Sequence, residues 1–374
     1  MLGCGCLHGR EAHASDSCDT VDAGSANVFS RLIRYFEEAN KSRPAKKFDF
    51  SLIGGPHYSS DAGFGVGLLA TGLYRNSLAD TIYPPSSVSL FVDATTNMFF
   101  TVGIDGYNIF VGDRYRLSYN LRLHSKDLKF WGIGYDMASE DSNESKFKYM
   151  DVGLCADFTF RIGRHLYIGP LMDFAYVHGA DLRRPELLGG EPTHSLSYGA
   201  GLKLSLDTRD FLTNAYQGVY LSMHQIYYPS FIGNKRSFSV TDVTTCVYNR
   251  VWKGGVVASR FHGRFAQGHA PWGMLSQLGS DGGMRGYYEG RYRDKCAMDV
   301  CVELRQHIYR RSGAAVWIGA GTVFPKFSKL RFDEILPNYG IGYRWEFKHR
   351  VNVRFDIGFG KHSPGFMFNI NEAF

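Results

Sequence analysis

Period-two alternation is the feature that most limits what this chain can fold into. From Phe48 onward nearly every segment places polar and apolar side chains on opposite faces. Asp151, Gly153, Cys155, Asp157, Thr159 and Arg161 share one face; Met150, Val152, Leu154, Ala156, Phe158 and Phe160 share the other. Asp299, Cys301, Glu303, Arg305 and His307 oppose Met298, Val300, Val302, Leu304 and Ile308, with one slip at Gln306. Asn352, Arg354, Asp356 and Gly358 oppose Val351, Val353, Phe355, Ile357 and Phe359. Successive side chains of an extended strand point to opposite sides, so this pattern belongs to strands between two different solvents.

Length and charge decide which solvent lies where. The alternating segments often run about ten to fourteen residues, against about five or six for strands of soluble sheets. A tilted strand crossing a bilayer needs about 9–11 residues. A charged side chain in lipid at mid-membrane costs about 2–4 kcal/mol, which explains why the charges keep to one phase. The pattern predicts an all-β fold, a transmembrane antiparallel β-barrel with its apolar phase in lipid and its polar phase in the lumen. A soluble sandwich would reverse these faces. Aromatics gather near segment ends, as at Tyr227-Tyr228, Phe99-Phe100 and Trp345, in keeping with an interfacial belt. No run approaches the length of an apolar transmembrane helix. The net charge of +6 is spread along the chain and gives no sign of nucleic acid.

About sixteen strands can be marked between residues 47 and 374, the fifth over 114–124 and the last over 364–374. An even number brings both ends of a barrel to one side. Connections after even strands are tight, as at Gly112-Asp113, Gly163-Arg164, Lys253-Gly254 and Ser312-Gly313. Those after odd strands are long: 125–145, 179–193 and 268–294. Short turns on one side and long loops on the other suit a bacterial outer-membrane barrel. Phe366, Phe368, Ile370 and Phe374 alternate toward a terminal Phe, an ending common in such barrels; Glu372 breaks the phase.

Residues 1–24 read as a tail, with Ala12-His13-Ala14 as a remnant of a secretion signal or as ordinary cytosolic sequence. Residues 25–46 read as a short amphipathic helix and a basic hinge. Val28, Phe29, Leu32, Ile33 and Phe36 form its stripe, placed to pack on its own domain or to cover a barrel mouth. The seven cysteines show no CxxC or Cys/His spacing, so neither metal nor cofactor is expected. Scattered His13, His124, His262 and His269, with no nucleophile elbow, point away from an enzyme.

One stretch breaks the alternation. Gly279–Lys295 reads GSDGGMRGYYEGRYRDK, seventeen residues with no strand or helix period. A segment of that kind inside a compact protein is functional or disordered. Here it is expected to be a long loop folded back into the barrel over 268–294, with Arg285 as its buried anchor.

The loop residues Gly283-Met284-Arg285-Gly286-Tyr287 resemble the VRGF/Y loop of the BamA/TamA superfamily, also called the bacterial surface antigen family. Asp207-Thr208-Arg209-Asp210 with Gly218 resembles the family's DTRD…G turn. Glu303 in Val302-Glu303-Leu304 and the run Gly321-Thr322-Val323-Phe324 match the following strands. Val353-Arg354-Phe355-Asp356-Ile357-Gly358 and the strand ending in Phe374 match the closing pair. The resemblance implies that Arg285 enters the lumen and pairs with Glu303, which the strand phase also points inward. A second acidic position of the family falls on Gly319, leaving Asp299 or Asp356 to substitute. BamA-type proteins carry POTRA modules, whose pattern is not seen in the residues before the first strand. A barrel-only member is therefore expected.

The resemblance further implies an outer-membrane protein of Gram-negative bacteria that helps insert or translocate proteins or lipids. Its mechanism would be a weak seam between the first and sixteenth strands, where Gly54-Gly55-Pro56 weakens pairing. The alternative is a passive pore or structural barrel acting with other envelope proteins. Expected partners are outer-membrane lipid and other envelope proteins, around a monomeric barrel.

Overall fold

The computed structural model describes residues 48–74, 86–279, 283–361 and 364–374. The predicted tail at 1–24 and helix with hinge at 25–46 lie outside these residues. Sixteen antiparallel strands close into a barrel. They are β1 (Phe48–Ser59), β2 (Gly63–Tyr74), β3 (Ser86–Thr95), β4 (Phe100–Ile109), β5 (Tyr115–Phe130), β6 (Ser145–Arg161), β7 (Leu166–Ala180) and β8 (His194–Asp207). The second half is β9 (Gly218–Tyr228), β10 (Phe238–Trp252), β11 (Gly255–Gly268), β12 (Cys296–Tyr309), β13 (Ser312–Phe324), β14 (Leu336–Lys348), β15 (Val351–Phe359) and β16 (Pro364–Ile370). Each strand pairs with its sequence neighbours, and β16 returns to β1. The predicted all-β barrel and its strand count are therefore seen. No described helix is long and apolar enough to cross a membrane.

The barrel is inside-out relative to a water-soluble protein. On β12, Asp299, Glu303 and Arg305 are buried while Val300 and Val302 face outward. On β15, Asn352, Arg354 and Asp356 are buried while Phe355, Ile357 and Phe359 are exposed. The polar phase thus faces the lumen along these strands. Tyr228 departs from the aromatic belt expected of it. Only Tyr227 faces outward; Tyr228 is buried, stacks on Phe238 at 4.3 Å and donates to Asp173 at 2.8 Å.

Two strands differ most from their predicted lengths. β5 runs on to Phe130, pairing Lys129 with Lys146 and Phe130 with Ser145. β16 stops at Ile370, because Asn371 adopts a left-handed φ of 73° and its N–H donates to Asn352 O at 2.7 Å. The chain from 371 to 374 leaves the wall and turns inward. Phe374 does not complete the outward alternation of Phe366 and Phe368. It packs instead on the inner cluster of Ala215, Cys246, Tyr248 and Ala258.

At the end reached by the odd strands, three long loops fold over the mouth. Trp131 and Ala138 of the β5–β6 loop join Leu278, Met284, Tyr287 and Tyr292 of the β11–β12 loop in one apolar cluster. Trp272 of that loop packs with Leu187 and Leu188 of the β7–β8 loop, against Phe130 and Phe147. The β11–β12 loop carries a ladder of its own, Ser276 with Asp294 and Gln277 with Arg293, which no sequence period announces. At the short-turn end, Asn214 and Ala215 of the β8–β9 segment are buried.

Candidate functional site

Arg285 leaves the β11–β12 loop and points into the lumen, its side chain fully buried. Its Nη2 lies 2.6 Å from Glu303 Oε2 and its Nη1 2.8 Å from Asp356 Oδ2. The guanidinium also stacks 3.5 Å above the Trp317 ring. Asn338 fixes both sides of this contact: its Nδ2 donates to the Arg285 carbonyl, and its Oδ1 accepts from Trp317 Nε1 at 3.0 Å. A planar guanidinium offers several donors in a fixed fork, so one Arg can hold two acids and an aromatic face at once.

The expected partner Glu303 is therefore in place. Of the two substitutes considered for the position of Gly319, Asp356 is the one that binds. Asp299 is not; it pairs with Arg260 Nη1 at 2.6 Å and His262 Nδ1 at 3.2 Å, farther along the lumen wall. Its place beside Arg260 and His262 explains this, since the register sets all three side by side on β11 and β12.

Around Arg285 the charges form a closed chain. Arg305 Nε donates to Glu303 Oε1 at 2.7 Å and lies 3.6 Å from Glu372 Oε2. Arg344 Nε donates to Glu372 Oε2 at 2.7 Å, and its Nη1 to Asp356 Oδ1 at 2.5 Å. Arg354 Nη1 donates to Asp356 Oδ2 at 3.2 Å. Burying one ion costs several kcal/mol, so such a group persists only when every charge has good opposite partners. Arg344, Trp317, Asn338 and Glu372 were absent from the predicted site. The break of phase at Glu372 was the sequence signal that could have found it.

Backbone geometry seats the loop. Gly286 has φ 104°, and a methyl group there would lie 2.7 Å from the carbonyl carbon of Gly358. Only a residue without Cβ fits a left-handed backbone pressed on a neighbouring strand. Tyr287 OH donates to Pro337 O at 2.6 Å and accepts the Lys361 N–H at 2.9 Å. Nearer the mouth, Arg291 donates to Ala138 O at 2.9 Å and to Asp141 at 2.6 Å.

The DTRD residues stand apart, at the short-turn end. Arg209 binds Asp207 through Nε at 3.0 Å and Nη2 at 2.7 Å. Asp210 accepts the Tyr216 N–H at 2.9 Å and pairs with Arg350 at 2.8 Å. Gly218, with φ 116°, faces the Thr208 carbonyl where a Cβ would clash. Together with Thr213 donating to Arg350 O at 2.8 Å, these contacts tie the β8–β9 segment to the β14–β15 turn.

The seam between β1 and β16 is the other singular feature. β1 pairs with β2 at twelve positions and β15 with β16 at seven. Among the described residues, β1 meets β16 at two: Tyr58 with Phe368, and Ser59 with Met367. The Ser60 N–H donates to Phe366 O at 3.2 Å, so even-numbered amides face β16 here. Pro56 is the second such position beyond Ser60, and it has no N–H to give. The pairing stops before it.

No protein-family model matches this sequence, and no curated protein matches it. Among solved structures, the fold is similar to BamA from Haemophilus ducreyi lacking POTRA domains 1-3. That match has 12% identity and a TM-score of 0.61, over 86% of this chain and 70% of that one. It is similar to CdiB from Acinetobacter baumannii, at 14% identity and TM-score 0.55, over 87% of this chain and 60% of that one. CdiB from Escherichia coli gives 9% identity and TM-score 0.56, over 88% of this chain and 64% of that one. This chain thus spans less than two thirds of either CdiB chain. At these identities the likeness is one of fold: a large closed barrel built like those of BamA and CdiB.

Proposed function

We propose that this chain is a bacterial outer-membrane barrel of the assembly and translocation class, which admits a client protein or lipid at the seam between β1 and β16. The observation that carries this reading is the seam itself, joined at two register positions where other strand pairs of the barrel share seven or more. Among the described residues the register of β1 with β16 covers Tyr58 and Ser59 and goes no further. An open strand edge is a template for another strand. In hydrocarbon each unsatisfied backbone group costs several kcal/mol, which drives such an edge to find one. The outward apolar faces and the likeness to BamA and CdiB support the membrane setting. The loops packed over one mouth favour gated exchange over a steady pore. In this reading the barrel works as a monomer among outer-membrane lipids and other envelope proteins, without enzymatic chemistry or cofactor.

The test is to lock the seam. Ser59 and Met367 oppose each other, so the S59C/M367C pair can form a disulfide across it. The oxidised variant is expected to act like depletion of the protein, lowering other barrels in outer-membrane proteomics, and reductant is expected to restore them. Unchanged barrel levels on depletion would remove the assembly role.

A further inference from the structure

We infer that two loops, 229–237 between β9 and β10 and 325–335 between β13 and β14, form an outward contact surface for a lipid leaflet bearing anionic phosphate headgroups. This rests on the membrane reading above and adds to it a headgroup chemistry and the residues that meet it.

Neither loop belongs to the cluster over the mouth. The 325–335 loop folds back along the outside of the wall. The Phe327 ring lies 5.0 Å from Phe265 and 5.3 Å from Phe324. Those two side chains share the outward phases of Phe261 on β11 and Ile318 on β13, both exposed. The 229–237 loop is tied to the wall at β8. Asn234 Oδ1 accepts the Tyr198 N–H at 2.9 Å, and its Nδ2 donates to Tyr198 O and Pro229 O, both at 2.8 Å. Tyr198 shares the outward phase of Leu196 and Leu202.

Each loop then lifts one phenylalanine clear of the protein. Phe231 is 85% exposed and Phe332 81%, more than any other large apolar side chain among the described residues. Each also carries exposed cations. Lys235 and Arg236 follow Phe231, and Lys326 and Lys329 precede Phe332. None of these four has an ion pair among the described residues. By contrast Arg331 is held by Asp333 at 2.7 Å and Glu334 at 2.9 Å. An apolar ring beside unpaired cations suits the interface, where the ring enters the acyl boundary and the cations meet phosphates. Water alone would leave both rings exposed at a cost. The same arrangement, built twice on one end of the barrel, makes a chance exposure a poor account.

The experiment is hydroxyl-radical footprinting of the full chain in lipid nanodiscs of phosphatidylcholine, with and without phosphatidylglycerol. Modification of each residue is normalised to the urea-unfolded chain. Phe231 and Phe332 are expected to be protected as well as the outward wall residues Tyr339 and Tyr343, while Met137 over the mouth is modified. If the wall is protected but both phenylalanines react like Met137, the inference falls and the membrane reading stands. If the wall residues react freely, the membrane reading itself fails. Changing Lys235, Arg236, Lys326 and Lys329 to Gln is expected to lower phosphatidylglycerol enrichment around the barrel by about fivefold per cation. Unaltered enrichment overturns the phosphate assignment. Protection of the two rings that appears only on adding envelope extract overturns it in favour of a protein partner.

Discussion

Glu372 and Arg344 lie 2.7 Å apart inside the barrel, and their contact closes a ring. The ring runs Arg285, Glu303, Arg305, Glu372, Arg344, Asp356 and back to Arg285, alternating in sign at every step. Its members come from the β11–β12 loop, β12, β14, β15 and the segment after β16. The plug loop and the last residues of the chain are thereby held by one network. Removing one partner of a buried pair strands the other, at about 3–5 kcal/mol. Glu372→Gln is therefore expected to lower the temperature at which the barrel loses its compact band on a semi-native gel. Asp333→Asn, in an exposed pair, is expected to leave that temperature unchanged.

The choice of Asp356 over Asp299 as partner of Arg285 can be read from coupling. In a double-mutant cycle, Arg285→Lys with Asp356→Asn is expected to show an interaction of about 0.5–3 kcal/mol. Arg285→Lys with Asp299→Asn is expected to be additive within about 0.5 kcal/mol, since Asp299 is engaged by Arg260 and His262. Denaturant midpoints of the four proteins in each cycle check this. Equal coupling in both cycles would contradict the geometry.

Gly286 is a second point of attack on the same loop. Ala at this position meets Gly358 backbone and a φ of 104° that L residues rarely adopt. Gly286→Ala is expected to unseat the loop without unmaking the strands. Trypsin would then cut at Arg291 or Arg293, which are buried in the native protein. A protease-resistant Gly286→Ala barrel would show that the close approach is not needed.

The loop also touches the β1–β2 turn, where Asp61 Oδ2 accepts the Glu289 N–H at 2.9 Å. Burial is the largest influence on this carboxyl and pushes it up to about 6 from 3.8. The Glu289 amide offsets part of the rise. A raised carboxyl favours the protonated form in the folded state, so its contribution is full below 3.8 and is lost as pH rises through 6. The protection factor of the Glu289 amide in hydrogen exchange is expected to be higher at pH 5 than at pH 7.5. Asp61→Asn, neutral throughout, is expected to abolish the difference.

Much of the barrel was legible because lipid-like and water-like faces impose opposite demands on alternate residues. Glu303 and Asp356 could be pointed inward from phase alone. The same rule failed where only one solvent remains. Ser125, Asp127 and Lys129 on one face and Lys126 on the other are polar, and there β5 runs on past the apolar band to pair with β6. Periodicity carries no information about such an extension. It carries none about Arg344 meeting Glu372 either, because that contact depends on the turn at Asn371. Phe374 read as the last outward residue for the same reason: one left-handed residue, which Asn tolerates well, reverses the face of everything after it. Trp317 was hidden differently. Its neighbours in phase are Gly313, Ala315, Gly319 and Gly321, which give no sign of the guanidinium that lies on it.

The two-position seam has a kinetic meaning as well. Every other junction in the barrel joins strands adjacent in sequence. The last one joins Ser60 to Phe366, 306 residues apart. Loop-closure entropy must be met before such a contact returns anything, and distant contacts slow folding. Fifteen neighbouring hairpins can zip before this one, so closure is expected to come last. A short joint returns little stability for that late step. The curled but unclosed sheet then lies close in free energy to the finished barrel, and the junction that forms last is the one that parts most easily.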